Sequence, residues 1–260
     1  MCIDSLYCKD SIYIINIQMS NTYSIELSLT PALYPYRTLK SNHTTVAVDI
    51  LRATSAICAA LSAGVEEIIP LDSIEQLPYY RDKGYLIAAE RGGKKLMNAE
   101  CGNSPTEYQT MDLHGKRMAY STTNGTVCIK HAADADRILV GSFSNFTALC
   151  NKLTEQPQDL VILCSGWQQD FSLEDTVFAG ALIERLLLSQ TYTTQNDAAM
   201  MALDLWRMAK YNPYDFCCKA SHVHRLQSFG CEDDIDFVFQ QDTCAFVPVF
   251  ANGHITIDPQ

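Results

Sequence analysis

The sequence has no surplus of positive charge, no long apolar run, no cysteine pair at CxxC or CxxxC spacing and no low-complexity stretch. Lys and Arg total 19 against 30 Asp and Glu, a formal net charge of −11 over 260 residues. A nonspecific nucleic-acid binder needs cations to displace phosphate counterions, so that class is excluded. A small anionic substrate stays open, because a few local arginines can hold one inside an acidic protein. No stretch approaches the ~18 apolar residues of a membrane span, so no membrane association is expected. The 11 cysteines include no CxxC or CxxxC spacing, which argues against a zinc knuckle or a disulfide frame. Cys58, Cys128, Cys150 and Cys164 sit in apolar runs, where a reduced thiol behaves as a small hydrophobe. A reduced, cytoplasmic protein is the expectation.

What is present is an ordinary globular balance, 47% hydrophobic and 19% charged. β-rich runs at 45–50, 67–71, 85–90, 116–120, 137–140 and 160–164 alternate with helical patterns at 56–63, 73–83, up to about 133, 145–153 and 173–188. Thr54 or Ser55 is expected to cap the first of these helices, and Pro78 to sit near the start of the second. This order predicts an α/β protein, a three-layer α/β/α arrangement with a largely parallel or mixed central sheet. A further strand is expected over 23–29 and a C-terminal hairpin over 245–257. Residues 19–260 are expected to form one domain with a helical subregion near 191–230. Residues 1–18 lack a basic segment and a clean apolar run. They are expected to be an upstream extension without function, with translation from Met19 as an alternative start and an edge strand over 11–17 as the competing reading.

Ligands of open α/β sheets bind beyond the carboxyl ends of strands. The expected strand ends carry Asp49-Ile50-Leu51-Arg52, Glu90-Arg91-Gly92-Gly93, Thr122-Thr123-Asn124-Gly125-Thr126, Gly141-Ser142 and Ser165-Gly166. Carboxylates suit a hard divalent cation, arginines offer a planar fork to phosphate, and helix N-termini present free N–H groups to oxyanions. Each element alone also reads as a turn, a cap or a surface ion pair. Their recurrence at successive strand ends favours a phosphate and Mg²⁺ site. The position two residues after Asp49 is Leu51, which removes the acid/base carboxylate of a haloacid-dehalogenase-like site. Arg52-Ala53-Thr54 stands where a dinucleotide-binding fold needs its glycines.

The ordered stretches at 46–56, 90–95, 101–108, 121–126, 140–145 and 173–186, followed by His222, Gly230, Asp234 and Val247-Pro248, resemble the 2-phosphosulfolactate phosphatase family. The likeness runs from about Ile25 to Val249. It implies an α/β/α fold and Mg²⁺-dependent hydrolysis of (2R)-2-phospho-3-sulfolactate to 3-sulfolactate, a reaction of coenzyme M biosynthesis. Cys101, Val223 and Trp167-Gln168-Gln169 depart from the family pattern, the last at the border of the expected pocket.

The resulting expectation is a phosphomonoester hydrolase whose Mg²⁺ is held by Asp49 and Glu90. Arg52 and Arg91 bind the phosphate and stabilise the transferring group. Thr122, Thr123, Asn124 and Ser142 supply further donors. His222 is a candidate for leaving-group protonation or sulfonate binding, with a structural role at a helix start equally open. Glu174 and Asp175 back up the metal site or complement a helix dipole, the second being preferred. The arginines are expected to matter for turnover and little for folding. The partner is a small phosphorylated organic acid, with or without a sulfonate; a homodimer is left open. The alternatives are a phosphatase for another phosphorylated acid and a noncatalytic anion-binding homologue.

Overall fold

The computed structural model describes residues 22–258, so the expectations for 1–18 lie outside the described residues. The chain opens with β1 (Tyr23–Ser28), β2 (His43–Val48), α1 (Ala53–Ser62), β3 (Glu67–Pro70), α2 (Leu77–Asp82), β4 (Leu86–Arg91), β5 (Lys94–Lys95), α3 (Pro105–Gln109) and β6 (Arg117–Ser121). It continues with α4 (Gly125–His131), β7 (Arg137–Gly141), α5 (Phe146–Glu155), β8 (Asp159–Cys164), α6 (Leu173–Leu188), β9 (Tyr192–Thr193) and α7 (Asp197–Ala209). The C-terminal part holds α8 (Pro213–Cys217), α9 (Ser221–Gln227), α10 (Glu232–Val238) and the hairpin β10 (Pro248–Ala251) and β11 (His254–Ile257).

All strands join one sheet in the order β5-β4-β6-β3-β11-β10-β7-β2-β8-β1-β9. Every residue of β2 is buried, and five of the six in β8, so both faces of the sheet centre are covered. The pairing has a consequence that local sequence patterns do not show. β4, β6 and β3 are mutually parallel, and so are β7, β2, β8 and β1. The C-terminal hairpin is inserted between the two blocks with antiparallel pairing on each side. Three reversals separate β3 from β7, so the blocks run in opposite directions. The single rim of strand ends expected from sequence is therefore two rims, brought together by the loops that follow β2, β4 and β6.

Helix boundaries moved where hydroxyls found partners inside the element. Thr54 and Ser55 lie within α1, and their side chains donate back to the carbonyls of Asp49 (2.8 Å) and Ile50 (3.1 Å). This fastens the first turn of α1 to the segment that follows β2. Pro78 sits in the first turn of α2, as its missing N–H requires.

α6 and α7 meet at very close range at Gly180. A Cβ there would lie 2.0 Å from the Ala202 carbonyl oxygen and 2.7 Å from Trp206 Cβ. Both obstacles sit on helix backbone or at its root and cannot swing aside. Gly180→Ala is expected to destabilise the protein by about 2–3 kcal/mol through overpacking. Thermal melts check this, with a fall of roughly 5–10 °C expected for a chain of this size.

Candidate active site

Four strand-end loops, after β2, β4, β6 and β8, build the site. Asp49 follows β2 and is 6% exposed. Its Oδ1 accepts from the Ala53 N–H at 3.3 Å, and its own N–H donates to Thr54 Oγ1 at 3.1 Å. Gly125, at the start of α4, lies against its other oxygen. A Cβ at 125 would stand 2.3 Å from Ala53 Cβ and 2.7 Å from Asp49 Oδ2, so only glycine lets α4 approach. Here the end of β6 meets the end of β2 across the two blocks.

Glu90, near the end of β4, is buried, and both its oxygens are engaged. Oε1 accepts from the Thr123 N–H and Oε2 from the Gly93 N–H, each at 2.6 Å. Asp175, in the first turn of α6, accepts from the Ile50 N–H at 2.8 Å and from Ser165 Oγ and the Gly166 N–H at 3.3 Å. It thus ties the loop after β2 to the loop after β8. Glu174 is buried beside it. Four carboxylates are therefore gathered out of water, and their charges are felt. Burial, with repulsion from Glu90 and Glu174, pushes the Asp49 carboxyl up to about 7, against the Ala53 and Ser165 hydrogen bonds. Burial also raises Glu174, against the cation of Arg225. Burial, then Asp49 and Glu174, raises Asp175.

The two arginines are not free. Arg52 is 5% exposed; its Nη1 donates to Asp234 Oδ2 at 2.7 Å and its Nη2 to the Gly93 carbonyl at 2.8 Å. Burial alone would weaken its charge, and Asp234 more than offsets that. Arg91 donates to the carbonyls of Glu90 (2.6 Å) and Ser121 (3.2 Å) and to Ser121 Oγ (2.9 Å), clasping β4 to β6. The expectation that both contribute little to folding is corrected by these contacts. Arg52 still borders a cleft of about 380 Å³ shared with Lys94, Lys95, Asn103, Ser104 and Phe229.

Of the other expected donors, Thr122 takes the Thr126 N–H at 3.1 Å, Thr123 takes the Gly92 N–H at 3.0 Å, and Asn124 takes the Gln168 N–H at 3.2 Å. The last two hold the loops of the site to one another, while Thr122 braces the start of α4. Ser142 stands apart from that loop cluster. Fully buried, it donates to Cys58 Sγ at 3.5 Å and takes part in a capping box with Asn145 ahead of α5. His222 does join the site. It is buried and stacks on Trp167 with ring centroids 4.7 Å apart. Burial, then the cations of Arg225 and Arg52, lower it to about 4, so the ring is neutral.

Sequence reasoning gave no role to Arg225, to Asp234 or to the two lysines of the cleft. Arg225 lies three residues after His222, the spacing of neighbours on one helix face. Asp234 belongs to an acidic run that reads as a solvated helix start. Lys94 and Lys95 stand inside the Glu90–Lys95 motif but were assigned no role.

Among the described residues no group of three or more His, Cys, Asp and Glu side chains is arranged to hold a metal ion unaided. None of the helices is long and apolar enough to cross a membrane. A profile of the 2-phosphosulpholactate phosphatase family matches residues 29–253. A probable 2-phosphosulfolactate phosphatase of Symbiobacterium thermophilum is 34% identical over 216 residues, 82% of this chain and 93% of the relative. One of Thermotoga maritima is 35% identical over 210 residues, covering 81% and 90%, and one of Clostridium novyi is 35% identical over 218 residues, covering 83% and 92%. By the profile match and by its identity to these relatives over most of both chains, the protein belongs to the 2-phosphosulfolactate phosphatase family.

Proposed function

We propose that the protein hydrolyses a phosphomonoester of a small organic acid, 2-phospho-3-sulfolactate by its family, to give phosphate and 3-sulfolactate. The observation that carries this reading is the buried cluster of Asp49, Glu90, Glu174 and Asp175 beside a cleft lined by Arg52, Lys94 and Lys95. Buried carboxylates in excess of nearby cations call for a counter-charge. Mg²⁺ fits this donor set, because it keeps several waters and uses one or two protein carboxylates, here Asp49 and Glu90. When bound, it would neutralise phosphate charge and stabilise the transferring phosphoryl group.

The chain's own groups do the rest. Asp49 is aimed by the Ala53 N–H and by the clamp of Thr54 on its backbone. The Thr123 and Gly93 amides hold Glu90 in one orientation. Lys94, exposed and stacked 4.5 Å over the Phe229 ring, and the remaining donor edge of Arg52 attract the anion at the cleft mouth. Asp175 keeps the loops after β2 and β8 in register, which preserves the positions of all these groups. The nine cysteines among the described residues are free thiols, which fits a reducing compartment such as the cytoplasm. Release of sulfolactate would serve coenzyme M formation where that pathway exists.

Phosphate release from phosphosulfolactate, measured with Mg²⁺ and after EDTA treatment, tests the reading. Turnover with Mg²⁺, its loss with EDTA and its return on adding back the cation are expected. Full activity in metal-free protein removes the metal role, and no release from any phosphomonoester removes the phosphatase assignment.

A further inference from the structure

The cations of the site include one that makes no ion-pair contact, although Glu174 feels its charge. Arg225 has no carboxylate within 4.0 Å among the described residues, whereas Arg52 is fully paired with Asp234. Arg225 is nevertheless held firmly. Its guanidinium carbon lies 3.8 Å over the Trp167 ring, and its Nη1 donates to His222 Nδ1 at 2.5 Å. That bond requires the unprotonated nitrogen of a neutral imidazole, so Nδ1 accepts and the ring proton sits on Nε2. His222 therefore braces Arg225 from one turn earlier on the same helix, α9.

Trp167 is fixed from the other side. It opens a tight turn in which its N–H donates to the Asp170 carbonyl at 3.0 Å and the Asp170 N–H returns to its own carbonyl at 2.9 Å. The next residue, Gln168, donates its N–H to Asn124 of the loop after β6. Trp167, His222 and Arg225 thus form a stack between α9 and the loop after β8, and Gln168 ties that loop to the one after β6. Stacking occupies the face of a guanidinium and leaves its N–H edge free. Of five N–H donors, one is committed to His222.

We propose that Arg225, braced between Trp167 and His222, receives the second acid group of the substrate and so selects phosphomonoesters that carry a sulfonate or carboxylate. The assignment rests on the phosphatase reading of the site. A substrate with three acid groups brings more negative charge than the phosphate position alone can compensate. A pre-oriented guanidinium beside the carboxylate cluster supplies the missing cation without conformational cost.

The test compares wild type, Arg225→Met and Arg225→Lys on phosphosulfolactate, phospholactate and p-nitrophenyl phosphate. Arg225→Met is expected to lower the preference for phosphosulfolactate over p-nitrophenyl phosphate by about 10–100-fold, the range of one lost charged hydrogen bond, mainly through KM. Arg225→Lys should fall between. An equal loss on phosphosulfolactate and phospholactate identifies the carboxylate as the bound group, and a loss confined to phosphosulfolactate identifies the sulfonate. An unchanged preference overturns the proposal. Calorimetric titration with sulfolactate separates this from the phosphatase reading. Binding by wild type that Arg225→Met loses supports the receptor even without turnover; equal binding by both, or none by wild type, overturns it. Absence of phosphate release from all three esters overturns the phosphatase reading alone.

Discussion

Asp49→Asn is expected to reduce phosphate release by at least ~10³-fold while producing a metal-free protein that melts higher than wild type at pH 8. The two effects share one cause. In the wild type a carboxylate is buried beside Glu90 and Glu174, which raises its proton affinity to about pH 7 from an ordinary value of 3.8. A raised folded-state value means that the folded protein binds the proton more tightly than the unfolded chain. The stabilising contribution of the protonated form is full below about pH 4 and is lost as pH rises through about 7. In metal-free wild type this loss amounts to about 2–4 kcal/mol, and the melting temperature should fall across that window. Asn keeps an oxygen to accept the Ala53 N–H and carries no charge, so the decline attributable to this group should vanish. Mg²⁺ should restore stability to wild type by mass action and do much less for the variant. The catalytic loss follows from removing the anion that would hold the cation against the phosphate, about 4 kcal/mol of transition-state stabilisation. Phosphate-release kinetics and melts from pH 4 to 8, with and without Mg²⁺, check both halves. A near-normal rate in the variant, or a wild-type melt that does not change with pH in metal-free buffer, sinks this account.

Much of this fold was legible because its elements are locally encoded. The strand 160–164 is a short apolar run and β8 occupies it; the helical pattern at 173–188 is filled end to end by α6. What local patterns could not carry is pairing order. Nothing in residues 248–257 says that they enter the middle of the sheet and reverse half of it. The site divides along the same line. Asp49, Glu90 and the threonines at 122 and 123 were legible because a strand end places them. The roles of the arginines were not, because a guanidinium can be claimed by any carbonyl or carboxylate that the tertiary fold brings near. Arg91 is claimed by its own and the adjacent strand's backbone, and Arg52 by Asp234, 182 residues away. Arg225 escaped notice for the opposite reason: its spacing from His222 is readable on one helix, but its partner Trp167 is recognisable only once the loop after β8 meets α9.

Asp234→Asn should be among the most destabilising single substitutions in the site region, at about 3–5 kcal/mol. The carboxylate is 2% exposed and receives four hydrogen bonds besides its charge partner's pull: Arg52 Nη1 on Oδ2, with Ser104 Oγ, Thr106 Oγ1 and the Thr106 N–H on Oδ1. It therefore joins α10 to the loop before α3 and to the first residues after β2. Breaking one side of a buried ion pair leaves the other charge uncompensated, which is the origin of the magnitude. For a chain of this length the melting temperature should fall by roughly 10 °C. Arg52→Lys is milder for folding, because the charge survives, yet it loses the fork that reaches both Asp234 and the Gly93 carbonyl. Gly93 in turn donates its N–H to Glu90, so the lysine variant should also loosen Glu90 and lower kcat/KM by about 10²-fold. The double variant Arg52→Met with Asp234→Leu separates the two roles. Removing both charges should recover part of the stability lost by Asp234→Asn, since no lone ion stays buried, and should recover none of the activity. Melts and kcat/KM on the four proteins decide the matter. Recovery of turnover in the double variant would make Arg52 dispensable to the reaction, and an Asp234→Asn protein that melts like wild type would remove the ion pair from the architecture of the site.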